Sequence, residues 1–166
     1  VDIAFVPRIK KLLAIIAESS PFIINTSKIS SAIELNRTSL LSYLKSLTDS
    51  KLIYSLFKDL KTVSSLQKPA KIFLENTNLM YLYQGEKVDK GNIRETFLVN
   101  QLSYSHTVEF SESSDFFVND RYTIECGGKS KTGEQIKTLE NAFIASDGIE
   151  IGSGSKIPLW LFGFLY

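Results

Sequence analysis

The sequence predicts a mixed α+β / α/β protein built as two successive units, residues 1–84 and 85–166. Apolar residues recur at helical spacing through the first part of the chain. Short runs rich in β-branched and aromatic residues, separated by turn signals, dominate the rest. The charge also changes sign along the chain. Up to Met80 there are 11 Lys and Arg against 6 Asp and Glu, and from Tyr81 onward 8 against 12. A mildly basic half beside an acidic one suits a nucleic-acid contact surface joined to a cation-binding module.

Composition bounds the answer further. A hydrophobic share of 43% and a charged share of 22% are those of a soluble globular protein. One cysteine excludes a disulfide framework and any multi-cysteine metal site, and fits a reducing, cytoplasmic setting. The start at Val1, without an initiator Met or the basic opening of a signal peptide, is that expected of a piece of a longer chain. The most apolar segment, Ile157 to Tyr166, has about half the length that crosses a bilayer, so no membrane partner is expected. It reads instead as a buried terminal strand.

Taken in order, Pro7 suits the first turn of a helix whose buried stripe is Ile9, Leu12, Leu13 and Ile16. Ser19-Ser20-Pro21 stops it. After Phe22-Ile23-Ile24, Asn25-Thr26-Ser27 offers caps for a second helix through Ile29, Ala32 and Ile33. Asn36 caps a third, with Leu40, Leu44 and Leu47 inward and Arg37, Tyr43 and Lys45 off that stripe. Leu52 to Phe57 reads as a strand, Lys71 to Leu74 as its partner, and the loop between them carries Lys58, Lys61 and Lys68. Three helices and a two-stranded ribbon with a basic tip is the winged-helix order, in which the third helix enters the major groove and the wing touches backbone. DNA is then the expected partner, through Arg37, Lys45, Lys58, Lys61 and Lys68. The competing reading is a structural or protein-binding module, because the third helix carries two cations and many serines.

A short helix, Leu79 to Tyr83, precedes the boundary at Gln84-Gly85-Glu86. The second unit opens with a helix from about Asn92 to Leu102. Glu95 lies on it as a candidate acid, or as half of an exposed pair with Arg94. Strands follow at Thr107–Phe110, Asp115–Val118 and Tyr122–Cys126, with Asn119-Asp120 as a turn. Thr132-Gly133-Glu134-Gln135 has the capping-box pattern, which predicts a helix carrying Ile136, Leu139 and Phe143. Ile149 to Tyr166 then reads as strand, glycine-rich turn and strand. His106 has no His or Cys partner at ligand spacing and reads as a loop residue.

Three readings compete for Asp115, Glu125 and Lys129. Two carboxylates on neighbouring strands hold Mg²⁺ or Mn²⁺, Lys129 stabilises charge on a phosphodiester, and Gln135 orients substrate. Alternatively, Gly128-Lys129-Ser130 is a phosphate loop, but its pattern wants a glycine where Thr123 stands. Or the acids are solvated and Gly127-Gly128 marks a bulge. Cys126 as a nucleophile lacks a basic partner.

The runs Lys71-Ile72-Phe73-Leu74-Glu75-Asn76-Thr77-Asn78-Leu79, Gly91-Asn92-Ile93-Arg94-Glu95-Thr96-Phe97, Glu125-Cys126-Gly127-Gly128-Lys129 and Ile157-Pro158-Leu159-Trp160-Leu161-Phe162-Gly163 carry a resemblance. With them the chain resembles the C-terminal half of predicted bacterial AAA-type ATPases, where a P-loop ATPase precedes a winged helix and a domain of unknown function. The last part is similar to the restriction-endonuclease-like, or PD-(D/E)xK, nuclease fold. The resemblance spans nearly the whole chain. It implies an N-terminal ATPase domain outside this sequence that holds ATP and acts as a partner. It also implies Asp115 and Glu125 as the paired acids, Glu95 as the acid of the opening helix and Gln135 as the polar residue after the motif. The nuclease pattern places a lysine two residues after the second acid, and Gly127 stands there. The expectation is therefore a degenerate nuclease-like domain serving nucleic-acid or protein interaction, with an active Mg²⁺- or Mn²⁺-dependent nuclease as the alternative.

Overall fold

The computed structural model describes residues 5–58 and 67–165, which fall into two compact units, Val1–Val88 and Asp89–Tyr166. Both combine helices with a sheet.

The first unit runs α1 (Val6–Ser19), β1 (Phe22–Ile23), α2 (Thr26–Ile33), α3 (Arg37–Asp49), β2 (Ile53–Leu56), β3 (Lys71–Leu74) and α4 (Thr77–Gln84). Side chains set several helix starts. Asn25 Oδ1 accepts from the Lys28 amide at 3.1 Å and Asn36 Oδ1 from the Ser39 amide at 2.8 Å. Asn76 Oδ1 takes two amides, Asn78 at 3.0 Å and Leu79 at 3.2 Å. Each satisfies donors that a helix leaves orphaned. The sheet has the order β1-β3-β2 and is antiparallel, with Phe22 opposite Ile72 and Ile53 opposite Leu74. Leu12, Ile16, Leu40, Leu44, Ile53 and Phe73 are fully buried between helices and sheet. Ser20 closes the unit. Its hydroxyl accepts from the Leu74 amide at 2.9 Å, joining the end of α1 to β3.

The second unit runs α5 (Lys90–Leu102), β4 (Val108–Phe110), β5 (Phe116–Val118), β6 (Tyr122–Gly127), β7 (Ala142–Ser146) and β8 (Lys156–Pro158). Its sheet has the order β4-β5-β6-β7-β8. The first three strands form an antiparallel meander, while β6–β7 and β7–β8 are parallel. Asn119 and Asp120 turn β5 into β6 with φ of 55° each, the left-handed region that Asn and Asp tolerate. The strand β6, buried along Thr123–Cys126, is central and packs against α5.

Two expected elements are different. The helix expected after Thr132 is only a 3₁₀ turn, Glu134–Ile136, and Phe143 belongs to β7. Gly133, required to be helical by the capping box, instead has φ 70° and ψ 26°. A β-carbon there would also fall 2.5 Å from Ile144 Cδ1. The glycine lets the crossover double back onto β7, which ends helical winding at its first turn. The other difference is the C-terminal segment. No strand forms at Ile149, and after β8 the chain winds as a 3₁₀ helix, Leu159–Phe164, where a buried apolar strand was expected. Leu159 and Phe162, three apart, share its buried side against the unit, as a three-residue turn requires. Trp160 and Phe164 are left 51% and 64% exposed, so this segment is not a buried strand.

Candidate functional site

The site grows from the register of β5 and β6. Phe116 lies opposite Ile124, so one step further along puts Asp115 opposite Glu125. Asp115 itself stands just before the strand. The β5 ladder ends at Phe116, and the Cys126 amide beyond it is taken by the Asp115 carboxylate, Oδ2 at 2.7 Å. That bond fixes Asp115 at the end of the central strand.

Glu125 is only 2% exposed, and a carboxylate so buried needs partners. It has two. Lys131 Nζ lies 2.5 Å from Oε1. Gln135, with its amide nitrogen turned to the carboxylate, donates to Oε1 at 3.0 Å and Oε2 at 3.3 Å. The 3₁₀ turn after Gly133 is what carries Gln135 there.

Lys131 reaches Glu125 because Gly127 lets it. A β-carbon on Gly127 would lie 2.9 Å from Cβ and Cγ of Lys131 and 3.0 Å from Cδ. The lysine's stem thus fills the volume that a side chain at position 127 would occupy. A tight turn between them, with the Lys131 amide on the Gly128 carbonyl at 3.0 Å, folds the loop back over β6. The cation beside Glu125 thus comes from six residues after it, while Gly127 stands two residues after it. Lys129 makes no ion pair with Glu125. It is exposed, and its carbonyl accepts from Lys156 Nζ at 3.2 Å. The Gly-Gly pair was the available signal: two residues without side chains after an acid leave room for the next long cation to fold back.

The electrostatics follow from this packing. The hydrogen bond to Glu125 raises the Lys131 pKa, desolvation opposes it, and the charges of Glu125, Asp115 and Glu95 add to the rise. A raised lysine pKa means that the pair's contribution is complete below the ordinary value of 10.5 and is lost only as pH climbs through the higher folded value. Glu95, on α5, therefore acts on the same site as the two strand acids. Cys126 points the other way in function: burial first, then Asp115 and Glu95, push its thiol far up, so no thiolate is available for attack. Arg94 pairs with Asp147 across the unit, Nε to Oδ2 at 2.8 Å. No α-helix follows Gly128-Lys129-Ser130, so the phosphate-loop alternative loses the helix N-terminus it depends on. His106 Nδ1 lies 2.9 Å from Asn119 Nδ2, a loop contact.

Among the described residues, no group of three or more His, Cys, Asp and Glu side chains is arranged to hold a metal ion. The carboxylates of Asp115 and Glu125 both act on the Lys131 ammonium, and they are the oxygen donors on offer at the end of β6. Hard divalent cations such as Mg²⁺ commonly take one or two carboxylates and complete their shell with water and substrate phosphate, which is the donor chemistry present here.

In the first unit the expected contact residues are dispersed. Arg37 opens α3 and is exposed, and Lys58 and Lys68 are exposed at either side of the β2–β3 connection. Lys45 is bound to Asp49 one turn on, 2.6 Å apart, so part of its charge is compensated. Lys61 lies outside the described residues. No helix among the described residues is long and apolar enough to cross a membrane.

Comparison with protein-family models, with curated proteins and with solved structures gives no match for this chain.

Proposed function

We propose that the second unit is a nuclease-like core of the PD-(D/E)xK kind, and that its site hydrolyses nucleic-acid phosphodiesters in the presence of Mg²⁺ or Mn²⁺. One observation carries this: an acid just before β5 whose carboxylate takes the amide next to Glu125 on β6, with a lysine amine 2.5 Å from Glu125. The strand order of the unit, an antiparallel meander continued by parallel strands after a crossover, supports the same architecture. Asp115 and Glu125 would hold the divalent cation, which supplies an acidified water and neutralises charge on the phosphate. Lys131 places a permanent positive charge at the reacting phosphate, and Gln135 orients the Glu125 carboxylate. In hydrolysis the water oxygen bonds to phosphorus, the bond to the leaving sugar oxygen breaks, and that oxygen takes up a proton.

The helix and strand order of the first unit, with its β1-β3-β2 sheet, supports a winged helix whose role is to hold DNA. The resemblance to AAA-type ATPase C-terminal regions supports an ATP-driven partner domain in the same parent protein. One specific observation favours a second, non-cutting reading. Each acid already has a protein partner, Asp115 the Cys126 amide and Glu125 the Lys131 amine, as in a core kept for binding only.

A cleavage assay with plasmid and single-stranded DNA in Mn²⁺ separates the two. The nuclease reading expects cutting that is lost in Asp115→Ala and in Glu125→Ala. Cutting that survives both changes, or no cutting by the wild-type chain, removes it. For the first unit, weak and salt-sensitive DNA binding is expected, reduced in an Arg37→Ala/Lys68→Ala variant when titrated by fluorescence anisotropy. Unchanged affinity would take DNA contact away from that unit.

A further inference from the structure

Beyond the acid pair, the same face of the sheet continues to a basic edge. Glu125 pairs in register with Ile144, and Ile144 with Lys156, so the three lie in one row across β6, β7 and β8. Paired residues on adjacent strands share a face, and two strand spacings put Lys156 about 10 Å from Glu125 along the sheet. Its ammonium does not fold away into solvent. It donates to the Lys129 carbonyl at 3.2 Å, which places it against the loop that leaves β6. An ammonium has three donors, and this bond uses one.

Lys129 stands on that loop. A β-carbon on Gly148, just past β7, would lie 3.8 Å from the Lys129 β-carbon, so the Lys129 side chain springs from the same end of the sheet. The loop is held there by the Asp147 amide on the Gly127 carbonyl at 2.8 Å and by the Ser146 hydroxyl on the Gly128 carbonyl at 3.3 Å. The other cations of this region are spoken for: Lys131 by Glu125 and Arg94 by Asp147. Among the described residues, neither Lys129 nor Lys156 has a carboxylate within salt-bridge distance. Two ammonium groups without a carboxylate partner, Lys156 on β8 and Lys129 on the loop leaving β6, therefore belong to the region beside Glu125.

We propose that Lys129 and Lys156 form a phosphate-holding edge that takes the sugar-phosphate backbone of a nucleic-acid strand, next to the phosphate that lies at Asp115 and Glu125. This rests on the reading of the acid pair as a phosphodiester site, and it gives Lys129 a positioning role instead of a catalytic one. Two unpaired ammonium groups beside a mixed-charge site suit a polyanion whose phosphates repeat along a strand. It gives a mononucleotide no second foothold.

The test is equilibrium binding of fluorescein-labelled single- and double-stranded DNA by the full chain in Ca²⁺, with gels confirming that the DNA stays intact. Salt is varied between about 50 and 200 mM, where phosphate contacts dominate affinity. A Lys129→Ala/Lys156→Ala variant is expected to bind about tenfold more weakly at the low-salt end. Its slope of log affinity against log salt on duplex DNA should be smaller by about 1.8, the loss of two phosphate contacts. Lys129→Arg/Lys156→Arg should keep both values near wild type, because it keeps the charge. An unchanged slope and affinity in the alanine variant overturns the proposal. So does an arginine variant as weak as the alanine one, or a wild-type chain that binds neither DNA. The Mn²⁺ cleavage assay reports on the acid pair independently. Cutting with no change in salt slope removes the basic edge alone. A changed slope without cutting leaves the edge as the binding surface of a core that does not cut.

Discussion

Lys131→Met is expected to lower the rate of Mn²⁺-dependent cleavage by about 10²–10³-fold, the usual cost of removing one fixed electrostatic group from a reacting centre. Methionine keeps an unbranched stem over Gly127, so the packing that holds the 127–131 loop is largely retained and the charge is what goes. The change also leaves Glu125 buried with Gln135 as its remaining partner. Losing the cationic partner of a buried carboxylate costs about 3–5 kcal/mol, so circular dichroism should show a variant with a lowered midpoint. The decisive variant is an exchange. Gly127→Lys alone collides with the Lys131 stem, and Lys131→Ala would not relieve it, because the Lys131 β-carbon is itself 2.9 Å from the new one. Gly127→Lys/Lys131→Gly removes the whole stem and returns the lysine to the position two residues after Glu125, on the same face of β6. That double variant should recover activity to within about tenfold of wild type, since the same charge again stands beside the second acid. Wild-type activity in Lys131→Met would sink the role of Lys131. An inactive but folded exchange variant would show that space at Gly127 is not what determines where the lysine acts.

The placement of Asp115 and Glu125 was legible in the sequence and the contact of Lys131 with Glu125 was not, and the reason is physical. Asp115 and Glu125 sit in or beside strands, where alternation fixes the face of each side chain and a turn at Asn119-Asp120 fixes the register. Lys131 lies six residues past Glu125, beyond the end of β6, where no period applies. Its placement depends on a turn and on the empty volume at Gly127, both tertiary facts. The same contrast holds for the elements. The second and third helices of the first unit could be read because Asn25 and Asn36 are true caps whose side chains take the following amides. The capping box at Thr132 is the same kind of local signal, but Gly133 adopts a left-handed conformation against Ile144, and a helix cannot start through it. In the C-terminal segment an apolar run gave no period that separates a strand from a 3₁₀ helix. Pro158, the last residue of β8, has no N–H to offer a ladder.

Phe116→Ala is expected to remove about 3–5 kcal/mol from the second unit, the usual cost of deleting a buried Phe ring. Phe116 is 0% exposed in β5, one residue after Asp115, and pairs with both Phe110 and Ile124. A unit of this length, with about 0.05–0.15 kcal/mol of stability per residue, has roughly 4–12 kcal/mol to lose. The substitution therefore takes a large share of it, and the site goes with the strand, because Asp115 holds its place through the end of the β5–β6 ladder. The first unit has its own core of Leu12, Leu40, Leu44, Ile53 and Phe73, built from other elements. Chemical denaturation followed by hydrogen exchange should thus show amides of β5, β6 and β7 losing protection at lower denaturant in the variant. Those of α1, α3 and β3 should hold at wild-type values. Equal loss of protection in both sets would mean that the two units unfold as one, and the separate stability assigned to each would be wrong.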